Sequence, residues 1–363
     1  MRKEIMDTRM AQEIREQPAV FRRLLASQDG PVRAVAAEAA RRGVRTVVIA
    51  ARGTSDHAGT FAQYLLEIRK GVPVALASPS VLTLYGGALD LGGTMVLGVS
   101  QSGQAEDVLE VMRRGKATGA FVVAATNDAG SPMARFADAH LDLCAGPERS
   151  VAATKTFGAQ LFVLSMLVAA WTGDEAAFAR LRGVPGQVEE ALRTLPEQVE
   201  RIAPQYRFLQ EGFVLARGLS YPIAMEMALK VQETNYVRMR AFPFSDFQHG
   251  PMAMLHAGYP VVVLAPEGPA FEDALGMAAR VAQNASDLLW VTDAPPARDA
   301  ALEAAFADAP ASFRTVRLPA VGDDALSVFP LAVFAQLFAC RLAVARGLDP
   351  DHPRSLSKVT ITR

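Results

Sequence analysis

Short apolar runs alternate along this chain with longer stretches whose apolar positions recur at helical spacing. Thr46–Ala50, Val74–Ala77, Thr94–Val99 and Phe121–Ala125 predict strands, and His140–Cys144 is strand-like. Around them lie helical patterns. An amphipathic region covers Met10–Ser27, and an alanine-rich helix covers Pro31–Arg42. Further helices run from the turn after Ala50 to about Lys70, up to Thr118, and from Ala152 to Thr172. The strands are apolar almost throughout rather than at every second position. That predicts a parallel sheet covered by helices on both faces, in an α/β fold of three layers.

The pattern then restarts. Ala51-Arg52-Gly53 recurs as Ala216-Arg217-Gly218, and Gly103 is answered by Gly268, both 165 residues later. Glu106-Asp107 is answered by Glu272-Asp273 at one residue more. Both matches stand at a strand end before a helix, which predicts two copies of one α/β domain. The stretch between them is helical but carries Gly183, Pro185, Gly186 and Pro196, as an inter-domain connection would. The expected division is an N-terminal helical segment 1–30, a first domain 31–172, linker helices 173–205, a second domain 206–347 and a tail 348–363.

Composition narrows the function classes. The chain has 363 residues, half of them hydrophobic, and a net charge of −1. It can fill two cores, and it lacks the basic excess of a nucleic-acid binder. Its two cysteines, Cys144 and Cys340, sit in apolar contexts without metal-ligand spacing. They are expected as core filler in a reducing cytoplasm. The charged N-terminus does not read as a secretion signal, and the apolar run Leu161–Trp171 is too short to span a membrane. No phosphate loop of the GxxxxGK[ST] type, no GxGxxG after a strand and no HExxH is present, so neither a nucleotide nor a metal cofactor is expected.

Two features carry candidate chemistry. The first is a pair of turns, Gly53-Thr54-Ser55 and Ser100-Gln101-Ser102-Gly103, each between a predicted strand and a helix. Hydroxyls, glycines and amides at a helix N-terminus can hold a phosphate without a metal. The corresponding turn of the second copy, Pro266-Glu267-Gly268, replaces the hydroxyls by a carboxylate. One anion site, in the first copy, follows. The second feature is the helix after Ser220, which carries Glu226, Lys230 and Glu233 at i, i+4 and i+7, on nearly one face. Spacing alone leaves open a solvated, salt-bridged face or a catalytic cluster.

ARGTS, SQSG, SVAATK (Ser150–Lys155), the helix ARGLSYPIAMEMALKVQE, HGPMAM and HPRSLSK together resemble the sugar isomerase (SIS) family over essentially the whole chain. The nearest resemblance is to the isomerase half of glutamine–fructose-6-phosphate aminotransferase and to glucosamine-6-phosphate deaminases built on the same two domains. It implies phosphosugar binding by Ser55, Ser100, Gln101 and Ser102, with Gly53, Thr54 and Gly103 shaping the turns. Val151, Ala152, Glu226, Lys230 and Ser357 would line the site, and the tail would reach it. Glu233 would move a proton between C1 and C2 of an open-chain sugar, and His249 would help open the ring, supplied across a homodimer interface. Lys358 would reach the carbonyl end. One carboxylate over two adjacent carbons can do this work, and a neighbouring lysine holds it ionised.

Three departures bear on the reaction. Gln104 and Ala105 stand where the aminotransferase has an acid and a hydroxyl, and Ala153 removes another hydroxyl. The glutaminase domain that would supply ammonia is not in this sequence. The lead-in Gly146–Ser150 and the tail RGLDPDHPRSLSKVT also look more like the deaminases. The expected reaction is glucosamine 6-phosphate to fructose 6-phosphate and ammonia. The alternatives are an isomerase or deglycase of another 6-phosphosugar, or a non-catalytic phosphosugar sensor.

Overall fold

The runs VVIA, MVLGVS and FVVAAT lack polar alternation because both of their faces are covered, and they form the centre of a sheet. The computed structural model describes residues 8–307 and 312–358. The first sheet comprises β1 (Val47–Ala50), β2 (Val74–Leu76), β3 (Met95–Ser100), β4 (Phe121–Thr126) and β5 (Ala139–Asp142), in the order β2-β1-β3-β4-β5. The second comprises β6 (Glu211–Ala216), β7 (Arg238–Pro243), β8 (Pro260–Leu264), β9 (Asp287–Thr292) and β10 (Phe313–Arg317), ordered β10-β9-β8-β6-β7. Read from the other edge this is the same order, and every pairing is parallel. The internal repeat is therefore a repeat of topology as well as of motif.

Each sheet belongs to its own compact unit. The N-terminal unit gathers Glu16–Arg149, Ala153–Pro185 and, of the tail, Ser357 and Lys358. The C-terminal unit takes the chain up to Arg15, Ser150–Ala152 and Gly186–Leu356. In the first, the helix Lys155–Thr172 packs against the helices Gln17–Ser27, Asp29–Arg41 and Thr54–Arg69. In the second, Asp324–Ala345 packs against Tyr221–Asn235. Both long helices are apolar enough to cross a membrane by length and composition. Most residues of both are instead buried in the folded chain. Phe213, Phe244, Phe247, Phe271 and Trp290 fill the C-terminal core.

The structure shifts several expected boundaries for identifiable reasons. Met10–Ser27 is two helices, Arg9–Arg15 and Gln17–Ser27, with Pro18 in the first turn of the second, where its missing N–H costs nothing. The long helix starts at Lys155 rather than Ala152, because the Thr154 and Thr156 amides donate to the Glu148 carboxylate, which serves as the helix's N-terminal acceptor. Cys340 is core, with its sulfur 3.3 Å from Thr8 Oγ1. Cys144 is not: it is half-buried at φ 49°, with its thiol against the Ser27 hydroxyl. The part of the tail beyond Lys358 lies outside the described residues, as does the charged segment before Thr8.

Candidate active site

The carboxyl ends of β1 and β3 lie side by side, since Ala50 pairs with Gly98. The chain turns outward in opposite directions from these two strands, β2 on one side and β4 on the other, which makes a crevice at their ends. Both sequence-predicted turns stand there. Arg52 donates from Nε to Asp107 Oδ2 at 2.5 Å, tying the turn after β1 to the first turn of the Glu106–Ala117 helix after β3. Gly53 adopts φ 55°, ψ −129°, a conformation suited to glycine. Gly103 sits at φ 63°, where an added Cβ would lie 2.2 Å from Ser131 Oγ.

Among the described residues, the serines act as acceptors. Ser100 Oγ accepts from the Gly103 amide at 3.1 Å, and Ser102 Oγ from the Gln104 amide at 3.3 Å. Ser55 Oγ accepts from Gln160 Nε2 at 2.8 Å. A hydroxyl used as an acceptor keeps its own proton to donate, so each can serve an anion while holding its turn in shape. Ala105, at the N-cap, makes no side-chain cap to the Glu106–Ala117 helix. Thr54 is half-buried in the first turn of the Thr54–Arg69 helix, and His57 lies half-buried one turn on. Gln101 and Ser102 are partly exposed.

The equivalent turn of the second unit is built differently. The Glu267 amide donates to Asp293 Oδ1 at 2.6 Å, and the other Asp293 oxygen accepts from the Ser327 hydroxyl. Gly268, at φ 153°, lies against Asp324. Carboxylates crowd this strand end, so it does not invite a phosphate.

The C-terminal unit instead places the charged trio. Glu226 and Lys230 have no exposed side-chain surface, which removes the solvated-face reading. Lys230 Nζ stands 3.3 Å from Glu226 Oε1 and 2.5 Å from Glu233 Oε2. Burial alone would depress the ammonium. Glu226 and Glu233 more than offset it and raise Lys230 above its ordinary 10.5. Glu233 keeps 21% of its side chain exposed, so of the three it is the one that faces outward. Ser220 precedes the helix, but its hydroxyl donates to the Arg217 carbonyl rather than capping an amide. The helix ends at Asn235, with Tyr236 left-handed at φ 58°.

The remaining predicted residues fall as follows. His249 is exposed, terminates the short helix Phe244–Gln248, and precedes Gly250 at φ 139°. Val151 and Ala152 belong to the C-terminal unit, where the Ala152 carbonyl accepts from the Ser150 hydroxyl. Ser357 is exposed. Lys358 is bound: its Nζ stands 2.7 Å from Glu148 Oε2. Sequence reasoning missed Glu148 as a site residue, and Gln160 beneath Ser55. A single acid, or an amide inside an apolar helix, has no local signature. The nearest hint was a lone Glu six and eight residues before two threonines at a helix start.

The SIS domain family model matches residues 40–170 and 211–306, one stretch in each unit and more than half of the chain. The chain belongs to the SIS domain family. A glutamine–fructose-6-phosphate aminotransferase (isomerizing) of Gloeobacter violaceus is 33% identical over 96% of this chain and 58% of its own length. The chain thus spans about half the length of the curated relatives it matches. A solved Silicibacter pomeroyi DSS-3 protein, provisionally assigned as a phosphosugar isomerase, is 32% identical with a TM-score of 0.81, and covers 95% of this chain and 100% of its own. The C-terminal domain of glucosamine–fructose-6-phosphate aminotransferase from Francisella tularensis is 25% identical with a TM-score of 0.84, over 95% of this chain and 98% of its own. The first SIS stretch contains both hydroxyl-bearing turns, and the second contains the trio and His249.

Two outcomes follow from the buried charges. Lys230→Met strips the sealed Glu226 of its ammonium partner and should cost about 3–5 kcal/mol in denaturant unfolding at neutral pH. The pH dependence should be two-sided. The Lys230 contribution is complete below 10.5 and is lost as the pH rises through its raised folded value. Glu148 is the mirror case. Burial pushes it up, but Lys358, Thr156 and Thr154 hold it below 4.5, so its contribution is present above that value and is lost as the pH falls. Unfolding midpoints measured across pH should fall at both extremes, and flattening of the alkaline limb in Lys230→Met checks the assignment.

Proposed function

We propose that this SIS chain is a phosphosugar isomerase of the deaminating kind, converting glucosamine 6-phosphate to fructose 6-phosphate and ammonia. The observation that carries the proposal is the Glu226–Lys230–Glu233 cluster, sealed except at Glu233. A carboxylate held against a buried ammonium is fixed in one place, which is what a base for a carbon-bound proton requires.

The turns after β1 and β3 hold the phosphate through the Ser55, Ser100 and Ser102 hydroxyls and neighbouring amides. His249 assists ring opening, and Lys358 addresses the carbonyl end. Glu233 takes the proton from C2 of the open-chain amino sugar, giving an enolamine, and returns it to C1. The product is an imine at C2. Water adds to that carbon, the C–N bond breaks, and fructose 6-phosphate and ammonia leave. No electrons are exchanged with a cofactor, so none is needed. We further propose a homodimer in which His249 of one protomer serves the other.

The curated relatives are named as aminotransferases. Deamination is favoured here by the VAATK segment, the Gly146–Ser150 lead-in and the tail, which resemble the deaminases. A second reading, isomerisation of another 6-phosphosugar, is favoured by the full-length likeness to the Silicibacter pomeroyi protein. A panel of 6-phosphosugars assayed for ammonia and for aldose–ketose interconversion separates the two. The expected outcome is ammonia from glucosamine 6-phosphate. Glu233→Gln should lower kcat by about 10²–10⁴ while phosphosugar binding persists. Near-normal turnover by that variant would remove Glu233 from the mechanism.

A further inference from the structure

Glu148 makes more use of its two oxygens than any role inferred from the sequence requires. Its side chain has no exposed surface. Oε1 accepts from the Thr154 amide at 2.9 Å and the Thr156 amide at 3.1 Å, and Oε2 from the Thr156 hydroxyl at 2.7 Å. Lys358 Nζ then closes on Oε2 at 2.7 Å. A fully buried carboxylate is costly unless it is paired and hydrogen-bonded, and here both conditions hold.

The geometry of the partner is the telling part. Lys358 retains 23% of its side-chain surface, while Glu148 retains none. The stretch from Leu348 to Lys358 forms no helix or strand, only turns and bends. It is fastened at discrete points. The Asp351 carboxylate accepts from the Arg9 and Met10 amides. The Arg354 amide donates to the Tyr236 hydroxyl at 2.9 Å, with the guanidinium 4.0 Å from that ring's centre. Among the described residues, the Lys358–Glu148 pair is the last of these fastenings. Without the ammonium the Thr154 and Thr156 donors would still hold the Glu148 oxygens at the helix start. The buried charge would lose its counter-ion, however, which gives the carboxylate a strong preference for the latched lysine.

We propose that Glu148 is a positioning residue, a fixed receptor in the N-terminal unit that latches the C-terminal tail by capturing Lys358 and so sets where that ammonium stands. The latch itself is independent of the reaction. Its catalytic consequence rests on the function proposed above, through the role given there to Lys358. Glu148→Gln keeps an oxygen for the threonine donors and removes the charge that holds the lysine. Lys358→Met removes the same pair from the other side.

Hydrogen exchange of the full-length protein, followed by mass spectrometry, tests the latch without reference to activity. In both variants, exchange over 349–358 should rise about tenfold or more, the scale set by a lost charge-assisted hydrogen bond, while the amides of the Lys155–Thr172 helix stay protected. Unchanged tail exchange in both variants would overturn the proposal. Loss of helix protection in Glu148→Gln alone, with the tail unchanged in Lys358→Met, would also overturn it and leave Glu148 a helix cap only. Where the wild type turns over glucosamine 6-phosphate, a double-mutant cycle adds the catalytic reading. Glu148→Gln should lower kcat/KM in the wild-type background and leave it unchanged in the Lys358→Met background. Additive losses would mean that Glu148 does not act through Lys358. A wild type without turnover would count against the proposed function, and the exchange result would still decide the latch.

Discussion

A lysine sealed between two glutamates on one helix is the constraint around which the C-terminal unit is arranged. Removing an ammonium from water is costly, and only close opposite charge with good geometry offsets the cost. Lys230 has Glu226 on one side and Glu233 on the other, and their pull outweighs burial. The helix that carries the trio, Tyr221–Asn235, packs against the apolar Asp324–Ala345 helix and against β7. Such a cluster adds little net stability compared with apolar filling. What it provides is a carboxylate held in a fixed position, Glu233, which alone of the three keeps exposed side-chain surface.

The two units show how one topology serves two tasks. Their sheets have the same strand order, and each has a glycine turn after the central strand that follows the crossover. In the N-terminal unit that turn carries Ser100 and Ser102, with Arg52 and Asp107 bracing it to the neighbouring turn. In the C-terminal unit the corresponding turn carries Glu267, whose amide donates to Asp293 at the end of β9, so carboxylates stand where the first unit has hydroxyls. The helix after the first strand diverges in the opposite sense. Thr54–Arg69 begins with hydroxyls, whereas Tyr221–Asn235 buries its charges. The backbone is repeated, and the chemistry is divided.

Much of this was legible in the sequence because it is written locally. Continuous apolar strands announced a parallel sheet, and matched glycines announced the repeat. The serine turns were found because hydroxyls beside glycine at a strand end form a compact pattern. The trio was found by spacing, but spacing fixes a helical face and not what covers it. The Asp324–Ala345 helix that packs against it lies some hundred residues further on, so burial could not be read from local spacing. Glu148 was overlooked for the same reason in stronger form. Its partners are two threonines that look like ordinary helix-start residues and a lysine near the end of the chain. Cys144 was assigned to the core from its apolar neighbours, yet a left-handed backbone and contacts with Ser27 and Gln28 hold it at the edge.

The central claim is that one carboxylate, Glu233, carries a proton from C2 to C1 of a bound phosphosugar. Turnover of glucosamine 6-phosphate deuterated at C2, with the product examined by NMR, tests it most directly. The account predicts a slowed reaction and deuterium at C1 of part of the fructose 6-phosphate, with both lost in Glu233→Gln. Ammonia release with no isotope effect and no deuterium at C1, or transfer that persists in Glu233→Gln, would contradict it.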